Sequence, residues 1–411
     1  MFQCNPFIAF RRNRRDTTTT VKRTLQSSMA LPALALCPHQ LFMNRAEAQY
    51  PGLVSEAQLG YPQTHEVCAN QSNAGQPYHS VDADGFNFYG HVAWQQLMLS
   101  SAVPVDEFLR SCRWSGGLDL NCSHYFHIVD GTDSVCYTLR NFDQSVETGN
   151  FQANQAGEDF ALTLTVDLHQ PDTLMGFSDG AGVRLLLWER GDVMPLKSSQ
   201  SYALAPGFEH FVAIEHHVVQ RMSPPYNDVD CIQDANFTMQ TCLRWCWERD
   251  YYVNCSCYSS ETFASTCTIC DHLTCVNRER REFFAGNCDC KFPCREVLNT
   301  ASVTSLAYPA DNRVSAVARM FEYGENETVL RKNVLKVSLY FKRMEKVYSV
   351  EQAAVSGVQV ISDIGGALGL CVGASLITLV EFCEFFAMQA GKLCRRRRPT
   401  AVTSIEVKQA A

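Results

Sequence analysis

The chain has 411 residues, enough for two or three domains or one large elaborated one. A formal net charge of -8 and a pI near 5.8 exclude the basic footprint of a nucleic-acid binder. Basic clusters are local, at residues 11–15 and 395–398.

Residues 1–29 are polar, Thr-rich and basic, and little fixed structure is expected in most of them. Residues 1–10 are too short and polar for the apolar core of a cleavable signal peptide. Composition turns apolar at Ala30, and Leu31-Pro32-Ala33-Leu34-Ala35-Leu36-Cys37 is a candidate strand. Residues 44–123 mix Gly, Pro, Asn and aromatics without a clear period, which reads as a loop-rich insertion with helix around 92–99. Strand signals then strengthen. In Leu162-Thr163-Leu164-Thr165-Val166-Asp167-Leu168 apolar and polar residues alternate strictly, as a half-buried strand requires. Further strands are predicted over 182–188 and 211–218, and a helix over 234–250 that holds Cys242 and Cys246 on one side. Residues 335–342 alternate again and set Leu335, Val337, Leu339 and Phe341 on one face.

Of 20 cysteines, sixteen lie between Cys37 and Cys294, and eleven of these crowd into residues 231–294. In an oxidising compartment this is a disulfide framework. The competing reading is zinc, because Cys267-x2-Cys270 resembles half of a structural zinc site; that reading wants a second ligand pair and a cytosolic setting, so no metal is assigned. Sequons begin at Asn70, Asn121, Asn236, Asn254 and Asn326.

Near the C-terminus, Ser362-Asp363-Ile364-Gly365-Gly366 opens an apolar run that passes through Gly373-Ala374-Ser375 and reaches Glu381 and Glu384. Residues 365–380 carry no charge, slightly fewer than the roughly 20 residues a span needs. Including the two glutamates makes the run long enough. Each carboxylate costs on the order of 2.5–3.5 kcal/mol at a helix centre, which a plain anchor would avoid. The four arginines at 395–398 mark the cytoplasmic side, so everything before the run is expected outside the cell. The run reads as the lining of a cation pore over residues 361–391, followed by a cytoplasmic tail, 392–411.

These motifs, taken in order, resemble the degenerin/epithelial sodium channel superfamily, across roughly residues 18–390. Cys136-Tyr137-Thr138-Leu139-Arg140-Asn141 is similar to a palm strand of that family, Cys242-Leu243-Arg244-Trp245-Cys246 through Cys288-Asp289-Cys290-Lys291-Phe292-Pro293-Cys294 to its thumb, and Ser362 to Glu381 to its second membrane helix. The resemblance implies an α+β fold: a large disulfide-rich extracellular domain, residues 30–360, built on a β-sheet palm. Helical thumb (231–294) and finger-like (44–123) insertions would elaborate it, with one C-terminal transmembrane helix. It implies a homo- or hetero-trimer with related subunits in the plasma membrane, passing Na⁺ and commonly blocked by amiloride, with no cofactor and no enzymatic activity. Gly373, Ala374 and Ser375 match the selectivity filter, Glu381 and Glu384 would face the lumen, Asp363 would stand at the outer mouth, and Tyr226 matches a wrist aromatic that transmits gating. Implied pairings are Cys37–Cys136, Cys112–Cys122, Cys231–Cys294, Cys242–Cys290, Cys246–Cys288, Cys255–Cys275, Cys257–Cys267 and Cys68–Cys270.

The family's first membrane helix would precede Thr17, where sixteen residues stand, so the chain is read as lacking that helix and as incomplete at its N-terminus. Glu189, Asp192, Glu279 and Glu282 could serve proton sensing, but Arg278, Arg280 and Arg281 interleave with the latter pair and would lower carboxylate pKa values. No G-x-S-x-G elbow, phosphate-binding glycine loop or H-E-x-x-H motif points to an enzyme. The competing function is a membrane-anchored extracellular binding or adhesion module without a pore. The finger region assigns no ligand and leaves the gating stimulus, peptide or force, open.

Overall fold

Strict alternation builds the centre of the molecule. The structure is a computed structural model, and it describes residues 17–39, 45, 94–131, 135–140, 151–173, 180–195, 201–224, 230–234, 236–257, 267–268, 271, 275–276, 288–321, 323, 326–354, 357–372 and 376–396. The chain divides into two compact units, one of Thr19–Met222 and Asp230–Glu351, the other of Met1–Thr18, Ser223–Val229 and Gln352–Ala411.

Among the described residues the strands are β1 (Thr17–Leu25), β2 (Met29–Ala30), β3 (Ala33–Pro38), β4 (Leu109–Trp114), β5 (Leu118–Leu120), β6 (Phe126–Asp130), β7 (Val135–Leu139), β8 (Gln152–Ala153), β9 (Leu162–Asp167), β10 (Val183–Trp188), β11 (Ser201–Leu204), β12 (Phe208–Gln220), β13 (Arg295–Ala307) and β14 (Val334–Ala353). A seven-stranded sheet runs β13-β12-β14-β9-β4-β5, with β1 added against β14. A five-stranded sheet runs β11-β10-β3-β7-β6, and β2 pairs with β8. In the larger sheet β12 and β14 are parallel, while β13 on β12, β9 on β14 and β4 on β9 are antiparallel.

One contiguous core joins both sheets. Leu162, Leu164 and Val166 of β9 and Leu335, Val337, Leu339 and Phe341 of β14 bury there together with Leu34 and Leu36 of β3 and Leu185 and Leu187 of β10. The other face of β3 buries Ala33, Ala35 and Cys37 against Cys136, Leu186 and Trp188. All six residues of β3 are therefore buried. Tyr137 of β7 stacks on Phe108 with ring centroids 3.8 Å apart and donates its hydroxyl to the Val103 carbonyl at 2.6 Å. That bond satisfies the one polar atom the core ring carries.

Helices decorate this frame: α1 (Trp94–Ser100), α2 (Val105–Phe108), α3 (Cys122–Tyr125), α4 (Met239–Cys255), α5 (Val314–Ala318) and α6 (Glu327–Asn333). The 314–333 segment is tied to β9 by Tyr323, whose hydroxyl donates to buried Asp167 at 2.6 Å, and by Asn333, whose Oδ1 accepts from the Gln170 amide at 2.7 Å. Burial pushes the Asp167 carboxyl above its ordinary value despite the Tyr323 donor.

Four expectations change. Residues 17–25, expected to lack structure, form an edge strand: the Thr-Thr-Thr-Thr-Val run is β-branched and suits an exposed pleated edge. The 44–123 insertion contains β4, an inner strand of the main sheet, whose alternation is broken by a register shift between Leu109 and Ser111. The predicted 234–250 helix begins at Met239 instead, because the Thr238 hydroxyl accepts from the Thr241 amide at 3.0 Å and so caps it. Strand β13 was not anticipated; most of its side chains are exposed or half-exposed, so no apolar face shows in the sequence.

Two histidines of β12 give the unit a pH dependence. His210 lies 2.8 Å from both the Ala205 carbonyl and the Ser305 hydroxyl, and His216 Nδ1 lies 2.9 Å from Asn299 Oδ1. Burial lowers both imidazole pKa values below the ordinary 6.5, and Lys346 and Arg295 lower that of His216 further. Their contribution to stability is fully present above pH 6.5 and is lost as pH falls through the lowered folded-state values. The apparent melting temperature should drop between pH 7.5 and 5.5, and a His210→Asn, His216→Asn double variant should show a shallower drop. An equal drop in that variant would assign the dependence elsewhere.

Candidate pore segment

The residues singled out for ion passage belong to two helices, α7 (Gly357–Val372) and α8 (Leu376–Arg396). Strand β14 ends at Ala353, so the chain passes from the central sheet into α7 within a few residues. Where one helix was expected over 361–391, the described residues are helical on both sides of 373–375, and α8 continues past 391 to Arg396. Between them fall Gly373, Ala374 and Ser375, which lie outside the described residues, as does Tyr226. Among the described residues no helix is long and apolar enough to cross a membrane. At a rise of about 1.5 Å per residue, α7 with its 16 residues reaches about 24 Å, short of a hydrocarbon core of about 30 Å. The longer α8 carries Glu381, Glu384 and Lys392.

Among the described residues, both helices expose large apolar side chains within the single chain. Val358 is 76% exposed, Ile361 73%, Ile377 70% and Phe386 65%. Such a surface is unfavourable in water and calls for lipid or other subunits. On α7, Ser362, Gly366 and Gly369 are spaced i, i+4, i+7 and share one narrow stripe, with exposed Asp363 beside it. A Cβ added at Gly365 or Gly366 meets nothing within 4 Å, so room for a close neighbour is open there. On α8, Glu381 and Glu384 are i and i+3 and both exposed. Phe382 and Phe386 project from a different arc of the same helix, while exposed Phe385 lies about 40° from Glu381 and borders the acidic arc.

The sheet frame is braced by seven disulfides among the described residues: Cys37–Cys136, Cys112–Cys122, Cys231–Cys294, Cys242–Cys290, Cys246–Cys288, Cys255–Cys275 and Cys257–Cys267. Cys68 and Cys270 lie outside the described residues. Bridges to Cys242 and Cys246 pin one side of α4 to the 288–290 strip, beside a small core of Trp247, Cys257, Cys267 and Val276. Asn121, Asn236, Asn254 and Asn326 are all exposed, and Asn70 is outside the described residues. Asn121 and Asn326 cap helices through Oδ1, accepting from the Ser123 and Val329 amides. A glycan joins the amide nitrogen, so both caps are compatible with one.

Of the carboxylates considered for proton sensing, Glu189 is half-buried, and burial together with Asp192 pushes its pKa up against the opposing pull of Arg295. Asp192 accepts the Thr238 hydroxyl at 2.7 Å, which joins the β10 loop to the cap of α4. Glu279 and Glu282, with the arginines at 278, 280 and 281, lie outside the described residues.

One site was missed by the sequence reading. Register along β12 and β14 jumps from Ile214↔Phe341 to His216↔Lys346, so Glu215 faces a four-residue bulge. A cavity of about 250 Å³ opens there, lined by Arg23, Glu215, His216, His217, Lys342 and Arg343 among others. Lys342 binds Glu215 at 2.8 Å, and that hydrogen bond leads in holding the Glu215 carboxyl below its ordinary value. The visible signal was the end of the alternation at Phe341, followed by Lys-Arg-Met-Glu-Lys.

The profile of the amiloride-sensitive sodium channel family matches residues 7–385 of this sequence, nearly its whole length. The chain belongs to that family. Degenerin unc-8 of Caenorhabditis elegans is 26% identical over 312 residues, covering 69% of this chain and 39% of its own length. Epithelial sodium channel subunit beta of Xenopus laevis is 24% identical over 419 residues, covering 88% of this chain and 64% of its own. Acid-sensing ion channel 4 of Mus musculus is 23% identical, covering 68% and 54%. The chain therefore spans between about two fifths and two thirds of the length of these family members.

Proposed function

We propose that this chain is a subunit of a trimeric, sodium-selective cation channel of the plasma membrane, gated by ligand or by force. Three copies of the α7–α8 segment, or copies shared with related subunits, surround the path. Backbone carbonyls of Gly373, Ala374 and Ser375 coordinate a partly dehydrated Na⁺, because small side chains let three chains approach closely. Glu381 and Glu384 attract the cation on the inner side of that constriction, Asp363 concentrates it at the outer mouth, and Tyr226 couples the extracellular domain to the membrane. Residues 392–411 lie in the cytoplasm. The observation that carries the reading is the pair of carboxylates one turn apart on an exposed apolar helix, directly after a Gly-Ala-Ser stretch. Two carboxylates inside lipid are tolerated where they line water.

The test is cysteine scanning of the full chain, expressed with a related subunit. A water-soluble thiol reagent should remove most of the amiloride-sensitive current from Glu381→Cys and leave Phe386→Cys unaffected. Ser375→Cys should alter the Na⁺/K⁺ permeability ratio. Delivery to the cell surface without current under ligand, acid or stretch, or equal reactivity at 381 and 386, would overturn the pore in favour of a tethered binding module.

A further inference from the structure

Helix α8 is continuous from Leu376 to Arg396, so the angular relation of residues along it is fixed. Between Leu376 and Lys392 the charged residues are Glu381, Glu384 and Lys392. At about 100° per residue, all three fall within an arc of about 80°, with Lys392 about 20° from Glu381. Lys392 is exposed, as are both glutamates. Ile377 and Met388 complete the same stripe, Phe385 borders it about 20° beyond Lys392, and Val380, Phe382, Cys383 and Phe386 lie on the rest of the circumference. Lys392 stands 11 residues after Glu381, or about 16 Å further along the axis. A lysine serving only as a membrane-interface anchor has no reason to share the arc of the acids.

We infer that Lys392 lines the cytoplasmic mouth of the conduction path and makes it rectify. The inference rests on the proposed pore. Whatever face turns Glu381 to the lumen turns Lys392 there as well. Three copies place a cationic ring at the inner opening, opposite in sign to the acidic rings above it. Ammonium groups at about 7 Å from the axis in a water-filled, salt-screened mouth lower the local cation concentration about threefold. Sodium entering from outside meets the attractive carboxylates first. Sodium entering from the cytoplasm meets the lysines first, so outward current is the one reduced. On the same helix Arg395 falls about 40° from Glu381 on the Glu384 side, so it shares the arc and adds to the cationic ring, and Lys392→Gln removes one of two inner cations per subunit.

The experiment is the current–voltage relation of excised inside-out patches carrying the full chain in symmetrical Na⁺ at about 0.1 M. The wild type should rectify inwardly. Lys392→Gln should raise outward conductance about threefold with little change inward, and Lys392→Arg should retain rectification. Raising internal ionic strength to about 1 M with an impermeant salt should bring wild type toward the Gln variant, because the screening length falls from about 10 to about 3 Å. Thiol block at Glu381→Cys combined with unchanged rectification in Lys392→Gln overturns this inference and leaves the pore standing. Loss of the thiol effect at 381 overturns both.

Discussion

Gly207→Ala destabilises the larger compact unit by about 2–5 kcal/mol, the sum of a backbone penalty and a steric one. Gly207 has φ +79, a conformation that L side chains rarely adopt. Its amide donates to the Val334 carbonyl at 2.8 Å, and its own carbonyl accepts from the Tyr308 amide at 2.8 Å. The residue thereby fastens the turn before β12 to the first residue of β14 and to the chain after β13. A Cβ added there would lie 2.9 Å from the Arg331 carbonyl oxygen, which is backbone at the end of α6 and cannot swing away. Gly116 is the control: its φ is +74, but a Cβ there meets nothing within 4 Å. Gly116→Ala should therefore cost only the conformational part, about 1–2 kcal/mol. Apparent melting temperatures of the full chain in detergent, with surface delivery in cells, separate the two. Equal effects at 116 and 207 would mean that the contact with α6 carries no weight.

Removing the Cys37–Cys136 bridge has an effect of similar size for a different reason. The bridge closes a sequence separation of 99 residues and joins neighbouring strands β3 and β7, where Leu36 faces Tyr137. On chain-entropy grounds a loop of that length is worth about 4.7 kcal/mol, against about 2.7 kcal/mol for the 10-residue separation of Cys112–Cys122. Both Cys37 and Cys136 are fully buried, so alanine is the suitable replacement and serine would add the cost of a buried hydroxyl. The Cys37→Ala, Cys136→Ala double variant should be retained inside the cell at 37 °C, while the corresponding pair at 112 and 122 is delivered with lowered melting temperature. Burial also predicts that external reductant acts on Cys37–Cys136 only after unfolding, which mass spectrometry of alkylated peptides would read.

Legibility in the sequence followed burial. Strands β9 and the first half of β14 bury one face against the core, and their strict alternation announced both the element and its inward residues. Strand β3 was found from a continuous apolar run, because both of its faces are covered. Strands β1 and β13 escaped because they gain backbone bonds while leaving most side chains exposed or half-exposed, so composition carries little trace of them. Strand β4 escaped through its register shift, and the start of α4 was displaced because a single hydroxyl, Thr238, decides where the helix begins. Spacing alone left the cysteine pairing open; the pairs came from family resemblance. For the pore segment, charges and glycines could be read directly, yet their service to an ion depends on neighbouring copies. The single chain shows only that the faces of α7 and α8 are uncovered.

The parallel pairing of β12 with β14 has a consequence for biosynthesis. Glu209 meets Lys336, more than a hundred residues later, and the entire cysteine-dense segment is made in between. Until β13 and β14 emerge from the ribosome, both edges of β12 are unsatisfied. The nascent sheet must therefore wait with β12 unpaired while cysteines downstream are being oxidised. Substitutions in that intervening stretch should register first as retention in the secretory pathway.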